Sequence, residues 1–80
     1  MYYVYILAST KVSTKVYIGM TTHLEQRLRE HNQGRSTYSQ RYAPWQIRTH
    51  VVFSDKSKAQ AFEAYLKSGS GFAFMKKRLL

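Results

Sequence analysis

The chain has 80 residues, no cysteine, and 13 Lys+Arg against 4 Asp+Glu, a formal net charge of +9. That length supports one domain (1–80) with a small core, and the missing cysteines exclude disulfides and thiolate metal sites. The basic excess calls for a polyanionic partner, nucleic acid first. An anionic membrane surface is disfavoured because no long basic amphipathic helix is legible.

Residues 2–7 carry no charge and place large groups on both pleat faces: Tyr3, Tyr5 and Leu7 on one, Tyr2, Val4 and Ile6 on the other. A strand apolar on both faces is expected to be central and covered on two sides. The apolar start is too short to span a bilayer and lacks the basic opening of a signal peptide, so a cytoplasmic protein is expected. Ala8 to Lys15 is polar and reads as a loose hairpin into a second strand at Val16–Ile18, with Val16 and Ile18 on one face and Tyr17 on the other. Gly19 is expected to turn the chain sharply. Thr22 and Glu25 have the spacing of a capping box for a first helix, which ends near Asn32 and Gly34. Within it Arg27 and His31 are four apart and share a face bordering the Leu24/Leu28 stripe, where they can converge with Tyr17 on one concavity.

Arg35 to Trp45 reads as a loop in which Arg35, Tyr38, Arg41, Tyr42 and Trp45 interleave, a composition that stacks on bases and pairs with phosphates. Simple packing onto the domain is the alternative, and for Trp45 the preferred one. Gln46 to Phe53 alternates, placing Ile47, Thr49, Val51 and Phe53 on one face of a third strand. Ser54, Asp55 and Ser57 offer caps for a second helix that ends at Ser68-Gly69 and buries Ala59, Phe62 and Leu66, with Glu63 and Tyr65 at its margins. A final helix, Phe72 to Leu80, is expected to bury Phe72, Met75 and Leu79 and expose Lys76, Lys77 and Arg78.

Four carboxylates can be sorted singly. Glu25 serves the capping box, Asp55 caps the second helix and Glu30 lies exposed near Arg27. Glu63 borders a buried stripe, where it can either anchor a hard divalent cation or pair with a neighbouring lysine or arginine. So few acids argue against a two-metal phosphodiesterase, which gathers several around shared ions. A one-metal phosphodiesterase would then need a base other than carboxylate, and tyrosine can serve if nearby cations or the metal lower its pKa. Taken singly, Tyr17 reads as a packed strand residue, and Arg27 and His31 as exposed helix residues. His23, His31 and His50 lack zinc-ligand spacing, the four glycines form no phosphate loop, and no nucleophile elbow is present.

The ordered set of positions resembles the GIY-YIG nuclease domain, in particular its small stand-alone members. Tyr3-Val4-Tyr5 stands at the first motif and Tyr17-Ile18-Gly19 at the second; Arg27, His31 and Glu63 in Ala61–Leu66 stand at the three later positions. Tyr65–Gly71 and Lys76–Leu79 also look like the stand-alone subgroup. The chain departs from the pattern at Tyr3, where the first motif begins with glycine, at Met20, where some relatives have lysine, and after Glu63, where many have asparagine.

The resemblance implies an α+β fold, a small three-stranded antiparallel sheet flanked by three helices. It also implies a DNA endonuclease acting by a one-metal mechanism with Mg²⁺ or Mn²⁺ held by Glu63. In that scheme Tyr17 helps activate water, Arg27 neutralises charge on the scissile phosphate, Tyr5 orients the site, and His31 contacts phosphate or supports the tyrosines. Arg35, Arg41, Lys67, Lys76 and Lys77 are the candidate nucleic-acid contacts. Single-stranded or branched DNA and RNA are all compatible substrates. The alternative is a nucleic-acid-binding module that keeps the fold with little or no cleavage.

Overall fold

The protein is described from a computed structural model covering residues 1–34 and 36–80. Arg35, a candidate nucleic-acid contact, lies outside the described residues. In chain order the elements are β1 (Tyr2–Ser9), β2 (Val16–Thr21), α1 (Leu24–Asn32), α2 (Thr37–Tyr42), β3 (Trp45–Phe53), α3 (Lys56–Leu66) and α4 (Gly69–Arg78).

β1 is the middle strand of an antiparallel sheet ordered β2-β1-β3. Its two apolar faces explain that position, because each covers a separate core. Val4 and Ile6 join Ala59, Leu66 and Met75 beneath α3 and α4, with Val16, Ile18, Met20, Phe53 and Phe62 around them. Tyr5 and Leu7 join Trp45 on the opposite face, with Tyr17, Leu24, Leu28, Tyr42 and Ile47 around them. A strand that alternated apolar and polar would leave one of these cores without a floor. Among the described residues no helix is long and apolar enough to cross a membrane.

β3 departs from the alternation read in its sequence. The ladder with β1 slips between Ile6 and Leu7, which pair with Thr49 and Ile47 and leave Arg48 as the extra residue of a bulge. Ile47 and Trp45 therefore face the core of Tyr5, whereas Phe53 packs in the core of Val4. One stripe in the sequence serves two faces of the sheet.

The helices show three further corrections. α1 has His23 at its N-cap with no side-chain cap, and Thr22 hydrogen-bonds His23 Nδ1 at 2.9 Å, so the Thr22–Glu25 capping box does not form. The His23 N–H donates instead to Thr21 Oγ1 at 3.0 Å. The stretch read as a loop contains α2, which makes four helices rather than three among the described residues. Ser36 caps it reciprocally with Ser39, the two hydroxyls standing in for a Ser/Glu pair. α4 begins at Gly69, because Ser68 caps it through the Gly71 N–H. A β-carbon at Gly71 would overlap the Tyr65 carbonyl, so this glycine permits close packing of α3 on α4. The buried face of α4 runs through Gly71 and Met75, the latter as expected, and Phe72 lies off it at 37 % exposure.

Candidate active site

Tyr5 lies at the floor of the core beneath α1, 1 % exposed, and its hydroxyl hydrogen-bonds His31 Nε2 at 3.2 Å. His31 comes from the last turn of α1 and is itself 2 % exposed, not the solvent-facing residue its helix position suggested in isolation. A hydrogen bond between two groups so deeply buried fixes both rings, because breaking it would leave polar atoms without water. Tyr17, on the neighbouring strand, completes the group. Its ring is nearly parallel to Tyr5 at 6.4 Å and tilted against His31 at 4.3 Å. Unlike those two it is only half-buried.

The glycine of the second motif has a different role from the one its type predicts. Gly19 is a buried residue inside β2, and the described residue with positive φ is Gly34, just past α1. Gly19 is directly opposite Tyr5, and a β-carbon there would overlap the Tyr5 phenol. Space, not a turn, selects glycine at this position.

Behind Tyr17 stand Tyr38 from α2 and Trp45 at the start of β3, 6.3 and 6.5 Å away between ring centres. Trp45 is a packing residue, as expected, with Nε1 donating to the Ser39 carbonyl at 2.9 Å. The Tyr38 hydroxyl donates to the Val16 carbonyl at 2.9 Å and so covers part of the exposed β2 edge. Burial, and secondarily the neighbouring Tyr42, push the Tyr38 phenol above its ordinary value, which keeps it a donor. The sequence placed Tyr38 in a binding loop; it did not reveal that this ring walls the Tyr17 site.

Val16, Tyr17, Ile18 and Tyr38 line a cavity of about 320 Å³ together with Lys67. Lys67 belongs to the C-cap of α3, on the other side of the sheet from Tyr17. The two meet because β2 is an edge strand and the end of α3 overhangs that edge. Lys67 Nζ lies 3.3 Å from Glu63 Oε2, one helical turn earlier. The expected carboxylate is thus tied to a lysine that shares a cavity with the expected tyrosine.

Arg27 opens elsewhere. With Thr21, Thr22, His23, Gln26 and Glu30 it lines a polar cleft of about 140 Å³ at the start of α1, one turn before His31. Its Nε lies 3.1 Å from Glu30 Oε1, a contact that uses one of five guanidinium donors. Arg41 is exposed on α2, and Lys76 and Lys77 are exposed on the last turn of α4.

Among the described residues no three His, Cys, Asp or Glu side chains gather into a ligand group. A protein cage for a cation is therefore not formed by them. Mg²⁺ is commonly held by one or two carboxylates, with water and substrate phosphate oxygens completing its shell. The Glu63 carboxylate, 25 % exposed and 3.3 Å from the lysine that lines the Tyr17 cavity, fits that lesser requirement.

Neither the curated proteins nor the solved structures compared with this chain give a match. The model of the GIY-YIG catalytic domain matches residues 1–78, nearly the whole chain. The motif tyrosines Tyr5 and Tyr17, ring against ring on neighbouring strands β1 and β2 and closed by a histidine from α1, are the structural counterpart of that match. On this evidence the chain belongs to the GIY-YIG family of nuclease domains.

Proposed function

We propose that the protein is a divalent-metal-dependent endonuclease that hydrolyses DNA phosphodiester bonds at Tyr17. The observation that carries this reading is the fixed Tyr5–His31 pair against which Tyr17 rests, half-exposed, at a cavity with a lysine in its wall. A rigid support for one accessible phenol is what proton transfer needs, since a misplaced base loses most of its effect.

In its phenolate form Tyr17 would take the proton of the attacking water and become the neutral phenol, while Tyr5 and His31 hold the ring in place. The new oxygen–phosphorus bond forms as the bond to the leaving oxygen breaks. Arg27 supplies positive charge from the start of α1 to the phosphate oxygens as negative charge builds on them. Lys67 and the other basic groups hold the flanking backbone. Glu63 would hold a Mg²⁺ or Mn²⁺ ion, which when bound supplies Lewis-acid charge at the phosphate.

Digestion of labelled single-stranded, duplex and branched DNA with Mg²⁺, Mn²⁺ or EDTA tests the reading. Tyr17→Phe should lower cleavage about 10²-fold or more while leaving the thermal midpoint close to wild type. Wild-type turnover by Tyr17→Phe would sink the assignment.

The Glu63–Lys67 ion pair favours one second reading, a nucleic-acid-binding module with little chemistry. It predicts salt-sensitive binding and no metal-dependent cutting by the wild type.

A further inference from the structure

The cavity of Tyr17 has a neighbour. Val16 forms part of its wall and also part of the wall of a second cavity, about 240 Å³, lined by Ser13, Thr14, Phe72, Lys76 and Leu80. The two thus adjoin at Val16 on the β2 edge, one bordered by Tyr38 and Lys67 and the other by Phe72 and Lys76 of α4. Phe72 is the side chain that the sequence placed in the core and the structure turns outward. Lys76 stands one turn later on α4, its Nζ 5.9 Å from the centre of the Phe72 ring.

We propose that this second cavity is a nucleotide subsite, taking one unpaired base of the substrate strand next to the cleavage position. The proposal rests on the nuclease reading for its orientation relative to Tyr17. An exposed phenyl ring offers any base a stacking face without reading its identity, and an adjacent lysine offers the following phosphate a partner. Ser13 and Thr14, two hydroxyl-bearing residues, also line it. The charge of the surroundings selects the occupant: Lys76, Lys77 and Arg78 follow one another at the end of α4, in a chain with nine more basic than acidic residues. An acidic strand is favoured there over an apolar peptide or a second copy of this strongly basic chain. A base held in a duplex presents only its edges in the grooves, so the ring requires a strand that is open at this point.

The test measures binding in EDTA, so it does not depend on cleavage. Fluorescence anisotropy with labelled oligothymidylate and with a duplex of equal length would compare wild type, Phe72→Ala, Phe72→Tyr and Lys76→Gln, with thermal midpoints to confirm folding. Phe72→Ala should weaken single-strand binding about ten-fold, leave duplex binding unchanged and keep the salt slope. Phe72→Tyr should restore affinity. Lys76→Gln should reduce the slope of log K against log salt by about one. Equal single-strand affinity of wild type and Phe72→Ala would overturn the proposal, as would equal losses on single strand and duplex. Failure of the nuclease reading would show separately, as turnover that persists in Tyr17→Phe.

Discussion

Tyr5 and Gly19 are direct partners across the β1–β2 ladder, and the Tyr5 phenol fills the space that a side chain at position 19 would need. The two positions therefore act as one unit: the tyrosine reaches His31 only because residue 19 ends at its α-carbon. Tyr5 is buried and held by its hydrogen bond, so it cannot swing aside. Gly19→Ala should cost about 1–3 kcal/mol as overpacking, read from the urea midpoint, and should lower cleavage by displacing the Tyr5–His31 pair. A variant as stable and as active as wild type would refute this account.

Asn32 links α1 to β3 in the manner of a strand residue. Its side-chain carbonyl accepts from the Trp45 N–H, and its amide donates to the Trp45 carbonyl at 3.2 Å. His31 is its neighbour in the chain, so this clamp also sets where the histidine meets Tyr17. Asn32→Ala removes both bonds and should destabilise the fold by about 1–3 kcal/mol. Asn32→Asp keeps the acceptor, loses the donor and should fall between them. Urea denaturation of the three proteins orders them, and an Asp variant as weak as Ala would assign the whole effect to the amide donor.

Features encoded locally were legible in the sequence. The double-sided apolar pattern of residues 2–7 foretold a central strand, and the Ala59–Phe62–Leu66 spacing foretold the buried face of α3. Tyr5 and Tyr17, read as motif positions, are brought together with His31 by the fold. What escaped depends on partners distant in the chain. α2 is six residues long and has no apolar period to reveal it. The β3 bulge preserves the alternation of exposure while switching faces at Arg48, so pattern alone reports a single face. Ser68 to Gly71 reads as a break until Ser68 is seen capping a helix whose glycine fits against Tyr65. Lys67 could be recognised as basic, but its meeting with Tyr17 follows from an overhanging helix end and an edge strand.

Asp55 makes the stability of α3 sensitive to acid. Its carboxylate accepts from the Ser57 hydroxyl at 2.7 Å, and from the N–H groups of Ser57 and Lys58 at 2.8 and 3.2 Å. The Ser57 hydroxyl first, then the Lys58 N–H, hold its carboxyl below the ordinary 3.8. A carboxyl lowered by folding contributes stability above its unfolded value and loses it as pH falls through the folded one. The difference in thermal midpoint between wild type and Asp55→Ala should be full at neutral pH and close on acidification. Asp55→Ser, which caps without titrating, should stay near wild type at neutral pH and gain on it in acid. A gap to alanine that widened in acid would contradict this.

Lys67 and a divalent cation would compete for one carboxylate. The Glu63–Lys67 contact is an ion pair between partly exposed groups, 25 % and 55 %, and pairs of that kind contribute about 0.2–1 kcal/mol. Removing the lysine charge should therefore raise the affinity of Glu63 for a cation, by about 1.4- to five-fold from that range. Lys67→Met preserves the aliphatic stem against the β2 edge while deleting the ammonium. Mn²⁺ titration followed by electron paramagnetic resonance, without nucleic acid, reads the effect directly and keeps it apart from substrate binding. Glu63→Gln should abolish the same signal in both backgrounds. If Lys67→Met binds Mn²⁺ no better than wild type while Glu63→Gln still binds it, the cation lies elsewhere. Glu63 would then be only the partner of Lys67.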